Sequence, residues 1–297
     1  MQTPRRLALL SLLVVLSPAW ADIAPFAFSA GAGPKPLEGA AAEVEMAREE
    51  VVLELRDGFA VVDAHFWLRN PGAAAVSVPV GFPGAGVRVS GAGNAVHRPL
   101  LGFRAWVGGA EVASSPVTTS HVTLKGPEGR QYARRREETW HTFPVPCAPG
   151  ETEVRVRYAV LSDPHRGGEW SSDERFVDAS VHYVLATGAG WGGAIGEAVI
   201  RVRAVPPIQL SSIRGREERG PALAKRGSPR ARAETVLPPG MARSGKELRL
   251  VRTGLEPEVG DNLQLVYGEP RPRRADDGFP AERAQREARA LRALGNR

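Results

Sequence analysis

The feature that most constrains the fold is a strict alternation of apolar and polar residues, repeated in short segments that glycine and proline separate. In segment 153–160, valine or tyrosine occupies every even position, and charged residues or alanine occupy the odd ones. Segments 51–55 and 62–68 show the same period, and the turn pair Asp57-Gly58 lies between them. A period of two predicts a strand with one buried face, and Asp-Gly between two such strands predicts a hairpin.

The alternation also assigns side chains to faces, so that Phe66 is predicted in the core and Trp67 on the opposite face. Further predicted strands are 101–107, 122–125, 139–145, 180–186, 198–204, 247–251 and 263–267. Before the C-terminus there is no amphipathic pattern of 12 or more residues, which argues against a βαβ enzyme. The predicted fold is mainly β, an antiparallel β-sandwich (one large or two consecutive) with a short C-terminal helix.

The N-terminus has the pattern of a secretory leader. Arg5 and Arg6 precede an apolar run over 7–16, and Ala-Trp-Ala ends at Ala21. The run is shorter than the roughly 20 residues that span a bilayer. We therefore expect export to the periplasm or the extracellular space, cleavage after Ala21, and no transmembrane segment in the mature chain.

The net charge and the cysteine count limit the kinds of partner and of cross-link that we expect. The formal net charge is +6, and removal of Arg5 and Arg6 with the leader lowers it to +4, which is too mild a bias to indicate a nucleic-acid partner. Cys147 is the one cysteine in the chain, so an internal disulfide is impossible. We expect its thiol to act as a small buried hydrophobe.

These patterns divide the chain into a leader, an extension, a β region and a tail. Whether the two halves of the β region share one core is left open by the sequence. The boundaries are 1–21 for the leader, 22–42 for the extension, 43–268 for the β region with halves 43–165 and 175–268 and a charged insertion 211–246, and 269–297 for the tail.

The tail is basic, since eight arginines face four acidic residues from Arg271 onward. A helix is predicted over 280–294, with proline at its first position and Gly295 just past its end. Its stripe of alanine and leucine is expected to be too small to anchor in a core. We therefore expect the tail to be dispensable for folding and to make weak contact with anionic surfaces.

Several short motifs resemble those of a family of exported bacterial proteins known as a domain of unknown function. They are Met46-Ala-Arg-Glu49, Phe66-Trp-Leu-Arg-Asn70, Val80-Gly-Phe-Pro83, Trp140 to Phe143 before Pro149-Gly-Glu151, and Tyr183-Val-Leu-Ala-Thr-Gly188 followed by Trp191. Some pieces are also similar to the vault and inter-alpha-trypsin type of β domain. The resemblance covers roughly residues 40–205, implies a β-sandwich outside the cytoplasm, and supplies no catalytic residues.

Patterns for cofactor and metal binding are weak. The stretch 188–193 fits G-x-G-x-x-G, but 195–204 after it is predicted as a strand, whereas a dinucleotide site needs a helix there. We expect no cofactor. Of the histidines, His65 and His182 are expected to be solvated or paired across strands, while His121 and His141 could meet across a hairpin. None of the six (His65, His97, His121, His141, His165 and His182) has a zinc-ligand spacing, so no metal site is predicted.

Patterns for catalysis are equally weak. No G-x-S-x-G motif occurs, and Cys147 lies between Pro146 and Ala148 without a family signature. The adjacent carboxylates point to opposite faces of a strand, so their spacing does not form an acid–base pair. These pairs are Glu49-Glu50, Glu137-Glu138, Glu217-Glu218 and Asp276-Asp277. No catalytic residue is assigned, and the question of enzymatic activity stays open.

One cluster is a candidate ligand or partner surface. Arg134, Arg135 and Arg136 are predicted in a loop that opens the strand of Trp140, and a tight glycine loop is predicted to present Trp191. Cations beside aromatic rings suit anionic glycans or phosphates. The alternative is a solvated charge run, because Glu137 and Glu138 follow at once.

The leading hypothesis is an exported non-catalytic β-sandwich that binds an envelope protein or a glycan, or that serves the envelope structurally. The alternative is a carbohydrate-active envelope hydrolase whose carboxylates are brought together only by the fold. A deep polar cleft with two facing carboxylates would favour the hydrolase, and a flat sheet face with aromatic side chains would favour the binding module.

Overall fold

The computed structural model confirms a mainly β fold with one C-terminal helix. It describes residues 35–36, 43–88, 100–123, 134–164, 176–183, 185, 191–215, 237, 239–256, 263–270 and 279–295. The predicted leader lies outside these ranges. The strands are β1 (Lys35–Pro36), β2 (Glu45–Arg56), β3 (Phe59–Asn70), β4 (Val76–Arg88), β5 (Leu101–Val107), β6 (Ala110–Val112), β7 (Ser115–Thr123), β8 (Arg134–Cys147), β9 (Gly150–Leu161), β10 (Asp163–Pro164), β11 (Phe176–Tyr183), β12 (Ile195–Ala204), β13 (Arg214–Gly215), β14 (Ala242–Ser244), β15 (Glu247–Leu255) and β16 (Leu263–Pro270), and the helix is α1 (Phe279–Gly295).

An eight-stranded sheet organises the molecule, in the order β14-β15-β12-β2-β3-β9-β5-β6. Its pairs are antiparallel except β12 with β2, which run parallel. The hairpin predicted at Asp57-Gly58 joins β2 to β3, and Gly58 has the positive φ of +86° that the turn requires. Since β12 comes from the second half of the chain and β2 from the first, the two halves share this sheet.

Two four-stranded sheets pack against the inner face of the large one, which gives the sandwich. Their orders are β1-β4-β8-β7 and β10-β11-β16-β13. The rings of Phe82 on β4 and Phe66 on β3 lie 5.8 Å apart, and Tyr183 on β11 reaches Glu49 on β2. One continuous apolar core contains buried residues from Val44 through Tyr267, so the halves 43–165 and 175–268 are packed together.

Burial follows the predicted period closely. Phe66 is 0% exposed while Trp67 is half-buried, and Val154, Val156 and Tyr158 are fully buried. The sequence pattern missed β4, because its prolines and glycines interrupt the alternation. The segment 211–246, predicted as a charged insertion, contains the short strands β13 and β14.

Helix α1 packs against the outer face of the large sheet, so the expectation that its stripe is too small to pack is wrong. Ala290 and Leu294 form an apolar cluster with Phe59 and Val61 of β3 and with β9. Gly102 of β5 allows this packing, because a Cβ there would come within 2.7 Å of Leu294 Cδ1. Among the described residues, no helix combines the length and the apolar character that spanning a bilayer requires.

Candidate functional site

The residues proposed from the sequence do not assemble as expected. Arg134, Arg135 and Arg136 belong to strand β8 itself, where their backbones pair with β7, and not to a loop before it. Trp140 and Trp191 are only 6% and 5% exposed, and Trp191 is part of the core. These two rings therefore do not form the exposed aromatic surface that the sequence suggested.

The structure also shows where the histidines and the end of the glycine-rich stretch lie. His121 pairs with Arg136 in the β7–β8 register while His141 pairs with Pro116, so the two histidines do not face each other across the hairpin. The ring of His141 stacks on Phe103 at 4.5 Å, and burial lowers its pKa. No cluster of three or more potential metal ligands occurs within the ranges that the structure describes. Strand β12, not a helix, follows the glycine-rich stretch.

The outer face of the large sheet is divided into two parts. One end is covered by α1, and the other end carries half-exposed or exposed polar and aromatic side chains on β2, β3, β5 and β9. We call this uncovered end, with Glu111 of the adjoining strand β6, the open face; it comprises Arg48, Glu50, Asp63, His65, Trp67, Arg104, Trp106, Glu111, Glu153 and Arg155. Arg157 marks its boundary with the helix, since its guanidinium Nη2 lies 3.4 Å from the Ala293 carbonyl oxygen.

Ion pairs join the strands of the open face. Arg155 of β9 donates two hydrogen bonds to Asp63 of β3, at 2.8 and 2.7 Å, and His65 Nδ1 lies 2.8 Å from Glu153 Oε1. Burial opposes ionisation of Asp63, but its bonds with Arg155 and His65 hold its pKa well below the usual range. The contact with Asp63 in turn raises the pKa of His65. These groups therefore form one coupled network of ion pairs across two strands.

Two tryptophans lie beside this network of ion pairs. The guanidinium carbon of Arg48 lies 3.6 Å from the centroid of the Trp67 ring. Those of Arg104 and Arg155 lie 4.9 and 5.2 Å from the centroid of Trp106. By strand register, Trp67 and Trp106 are two strands and two residues apart, a separation of about 12 Å. The open face thus presents two cation-flanked rings on one flat surface.

A second polar region is a cleft of about 530 Å³ between α1, the β2–β3 turn and the end of β16. Within it, Arg289 pairs with Asp57 at 2.8 Å and Arg286 with Glu282 at 2.7 Å. Its lining residues are Asp57, Pro270, Glu282, Gln285, Arg286, Ala288, Arg289 and Arg292.

Behind this cleft, Glu269 is completely buried. The Gly58 N–H donates to Glu269 Oε1 at 3.2 Å, and Arg286 Nη1 lies 3.7 Å from Glu269 Oε2. Burial raises the pKa of Glu269, while Ser162 and Arg286 oppose the rise. Gly58 is needed here for a second reason, because a Cβ would come within 2.9 Å of Arg286 Cγ. This arrangement fastens α1 to the sheet.

A third group lies in the core. Glu49 on β2 is 2% exposed and accepts a 2.6 Å hydrogen bond from the Tyr183 hydroxyl on β11. Burial raises the pKa of Glu49 from 4.5 to about 7, although the bond from Tyr183 opposes the rise. The nearby Tyr158 is also buried, and its pKa is raised by burial and by Glu49. The carboxyl therefore links the large sheet to the β11 sheet.

This carboxyl makes stability pH-dependent. Because the folded pKa exceeds the unfolded one, the folded chain retains a proton that the unfolded chain loses between about pH 4.5 and 7, so stability falls as pH rises through that window. The loss attributable to Glu49 is of the order of 3 kcal/mol. Denaturant unfolding of Glu49→Gln across this range should show a flatter profile than the wild type. Glu50→Gln, at the half-buried neighbour on the outer face of β2, is the matched control, and an unchanged slope for Glu49→Gln would contradict the assignment.

The sequence pattern had placed Trp67 on the outer face but gave no reason to pair it with Trp106. Trp106 lies in a predicted strand, yet the bulge between Leu101 and Arg104 changes the register, and the contact with Arg155 depends on β5 pairing with β9. Trp67 and Arg155 are both far from Trp106 in the sequence. The signals available were an arginine two residues before Trp106, in segment 104–106, and arginines at alternate positions in segment 153–157.

Comparisons with known proteins support the fold alone. The sequence matches no family model and no curated protein. A crystal structure of a "putative nutrient binding protein" from Legionella pneumophila superposes with a TM-score of 0.50 at 18% identity, covering 80% of this chain and 70% of that one. An M1 zinc metallopeptidase from Deinococcus radiodurans reaches a TM-score of 0.30 at 10% identity, covering 76% of this chain and 42% of that one, which is too little overlap to bear on function.

Proposed function

We propose that the chain is an exported, non-catalytic binding module of the bacterial envelope, and that its ligand contacts the open face. The observation that carries this proposal is the position of Trp67 and Trp106. They are half-exposed on the uncovered end of a sheet whose other end is covered by α1. Tryptophan and arginine are the residues that contribute most often to binding hot spots.

The ion pairs make this surface rigid before a ligand arrives. The Arg155 guanidinium is held by both oxygens of Asp63, and that of Arg104 by both oxygens of Glu111. Ordering a flexible arginine on binding costs about 1 kcal/mol in side-chain entropy. Because these side chains are already ordered, a ligand loses less free energy in organising them.

The cleft at α1 is poorly suited to glycoside hydrolysis. A glycosidase needs one carboxylic acid and one carboxylate facing the scissile bond. The acidic residues in this cleft, Asp57 and Glu282, are each held in an ion pair with an arginine. Burial also raises the pKa of the Cys147 thiol to about 11, which keeps it un-ionised as a nucleophile. These features favour the binding module over the hydrolase.

The name of the Legionella pneumophila protein supports a binding role for the shared fold. The leader pattern over 1–21 supports action in the periplasm or outside the cell.

The double variant Trp67→Ala, Trp106→Ala should bind washed envelopes of a producing bacterium about tenfold or more weakly than the wild type, because it removes both rings from the open face. Retention of labelled protein across a concentration series measures this. Val251→Ala is the control, since Val251 is 37% exposed on the same sheet but lies on β15. Equal retention of all three proteins, each folded at the assay temperature, would refute the proposal.

A further inference from the structure

The charges of the open face are balanced pair by pair. Arg104 donates to both oxygens of Glu111 at 2.8 and 2.6 Å, and Arg155 does the same to Asp63. Arg48 lies 3.7 Å from Glu50. A phosphate or sulfate binds most strongly to a guanidinium whose fork is free. A polyanion at this surface would therefore have to displace a carboxylate from the guanidinium forks of Arg104 and Arg155.

The paired groups still present unused hydrogen-bonding capacity to solvent. A carboxylate accepts more than the two bonds that its arginine donates, and a guanidinium has five N–H groups. The side chains of Arg104 and Glu111 are 52% and 48% exposed. A hydroxyl can donate to the carboxylate and accept from the guanidinium at once, so it binds such a pair without breaking it. A ligand rich in hydroxyls and without net charge therefore complements these ion pairs.

The tryptophans supply the apolar part of the same recognition. An aromatic ring attracts the slightly positive C–H groups of a saturated sugar ring as it attracts a cation. Because the guanidinium of Arg48 already lies 3.6 Å over the Trp67 ring, a sugar would contact the part of that ring that stays exposed. Trp67 and Trp106 lie about 12 Å apart on a flat sheet, which is the scale of a short oligosaccharide segment. Hydroxyl groups between the two contacts would lie over Glu153 and Arg155 of β9, the strand between the two tryptophans.

We infer that the open face binds a neutral glycan chain, with Trp67 and Trp106 as its two apolar contacts and the Arg155–Asp63 and Arg104–Glu111 pairs as its hydroxyl-binding groups. This inference rests on the proposed function and names the ligand class for the same surface.

Native affinity electrophoresis of the full mature chain tests the inference. The gels contain neutral polymers (dextran, laminarin, glucomannan, galactomannan and hydroxyethyl cellulose) or anionic ones (dextran sulfate, heparin and polygalacturonate). At least one neutral polymer should retard the wild type equally at low and high salt, because a neutral polymer carries no charge whose attraction salt could screen. Trp106→Ala should weaken that retardation about tenfold, Trp106→Phe should weaken it less, and Val251→Ala should leave it unchanged.

A charge variant probes the balance directly. Glu111→Gln leaves the fork of Arg104 without its carboxylate, so dextran sulfate should retard this variant more than the wild type, in a salt-sensitive way. Wild-type retardation by the anionic polymers alone, or by no neutral polymer at all, would overturn the inference. If binding to envelopes depended on both tryptophans but was abolished by protease treatment of the envelopes, the proposed function would hold and the glycan would be excluded as the ligand.

Discussion

Replacing Arg286 with alanine is expected to lower the free energy of unfolding by about 3–5 kcal/mol, because it leaves the carboxyl group of Glu269 buried without its cation. Glu269 is 0% exposed, and Arg286 is its ion-pair partner across the β16–α1 contact. The same arginine also pairs with Glu282 one helical turn earlier. The variant therefore removes the link between helix and sheet as well as the compensation of a buried charge.

Denaturant unfolding at neutral pH measures the effect, with Arg283→Ala as the matched control. Arg283 lies on the same helix and pairs with Glu287, but its side chain is 49% exposed, so its loss should cost about 0.5 kcal/mol or less. The combination of Arg286→Met with Glu269→Gln should recover much of the stability, since no buried charge then remains. If Arg286→Ala lowered the free energy of unfolding no more than the control does, water would have to reach Glu269 without any loss of stability. Helix α1 would then be the weakly held tail that its sequence suggests.

Replacing Phe66 with alanine should cost about 3–5 kcal/mol, through lost burial and the cavity that remains. Its ring lies in a cluster with Phe82, which in turn contacts Phe103 and Phe143 at 5.6 and 6.2 Å. This cluster joins β3 of the large sheet to β4 and β8 of the sheet packed on it. Loss of the ring therefore weakens the contact between two layers of the sandwich.

Trp67→Ala is the comparison for this experiment, because Trp67 is the next residue and is larger, yet half-exposed on the outer face. Its truncation should cost about 1 kcal/mol, mainly the contact with Arg48. Melting and denaturant curves of the two single variants give the order. Greater destabilisation by Trp67→Ala would place the tryptophan in the core and shift the register of β3 by one residue.

The candidate site was only partly predictable. The period of two placed Trp67 outside the core, since each side of a strand carries every second residue. The same rule placed Arg155 on the outer face of β9 and Phe66 on the inner face of β3. It could not show that Trp140 and Trp191 are buried, because aromatic rings near charged or glycine-rich segments suit a surface and a core equally. Their burial depends on layers contributed by distant parts of the chain.

The sequence by itself determined the mainly β architecture, the hairpin at Asp57-Gly58 and the inward set of side chains on its most regular strands. These features follow from local rules, namely the alternation of side chains and the φ requirement of a turn. Only the tertiary structure decided that β12 lies parallel to β2, that Glu49 is enclosed beneath Tyr183, and that α1 covers one end of the outer face. A local pattern assigns a side chain to one side of its strand, but whether that side meets protein or water depends on elements more than 200 residues away, such as Arg286 beside Gly58.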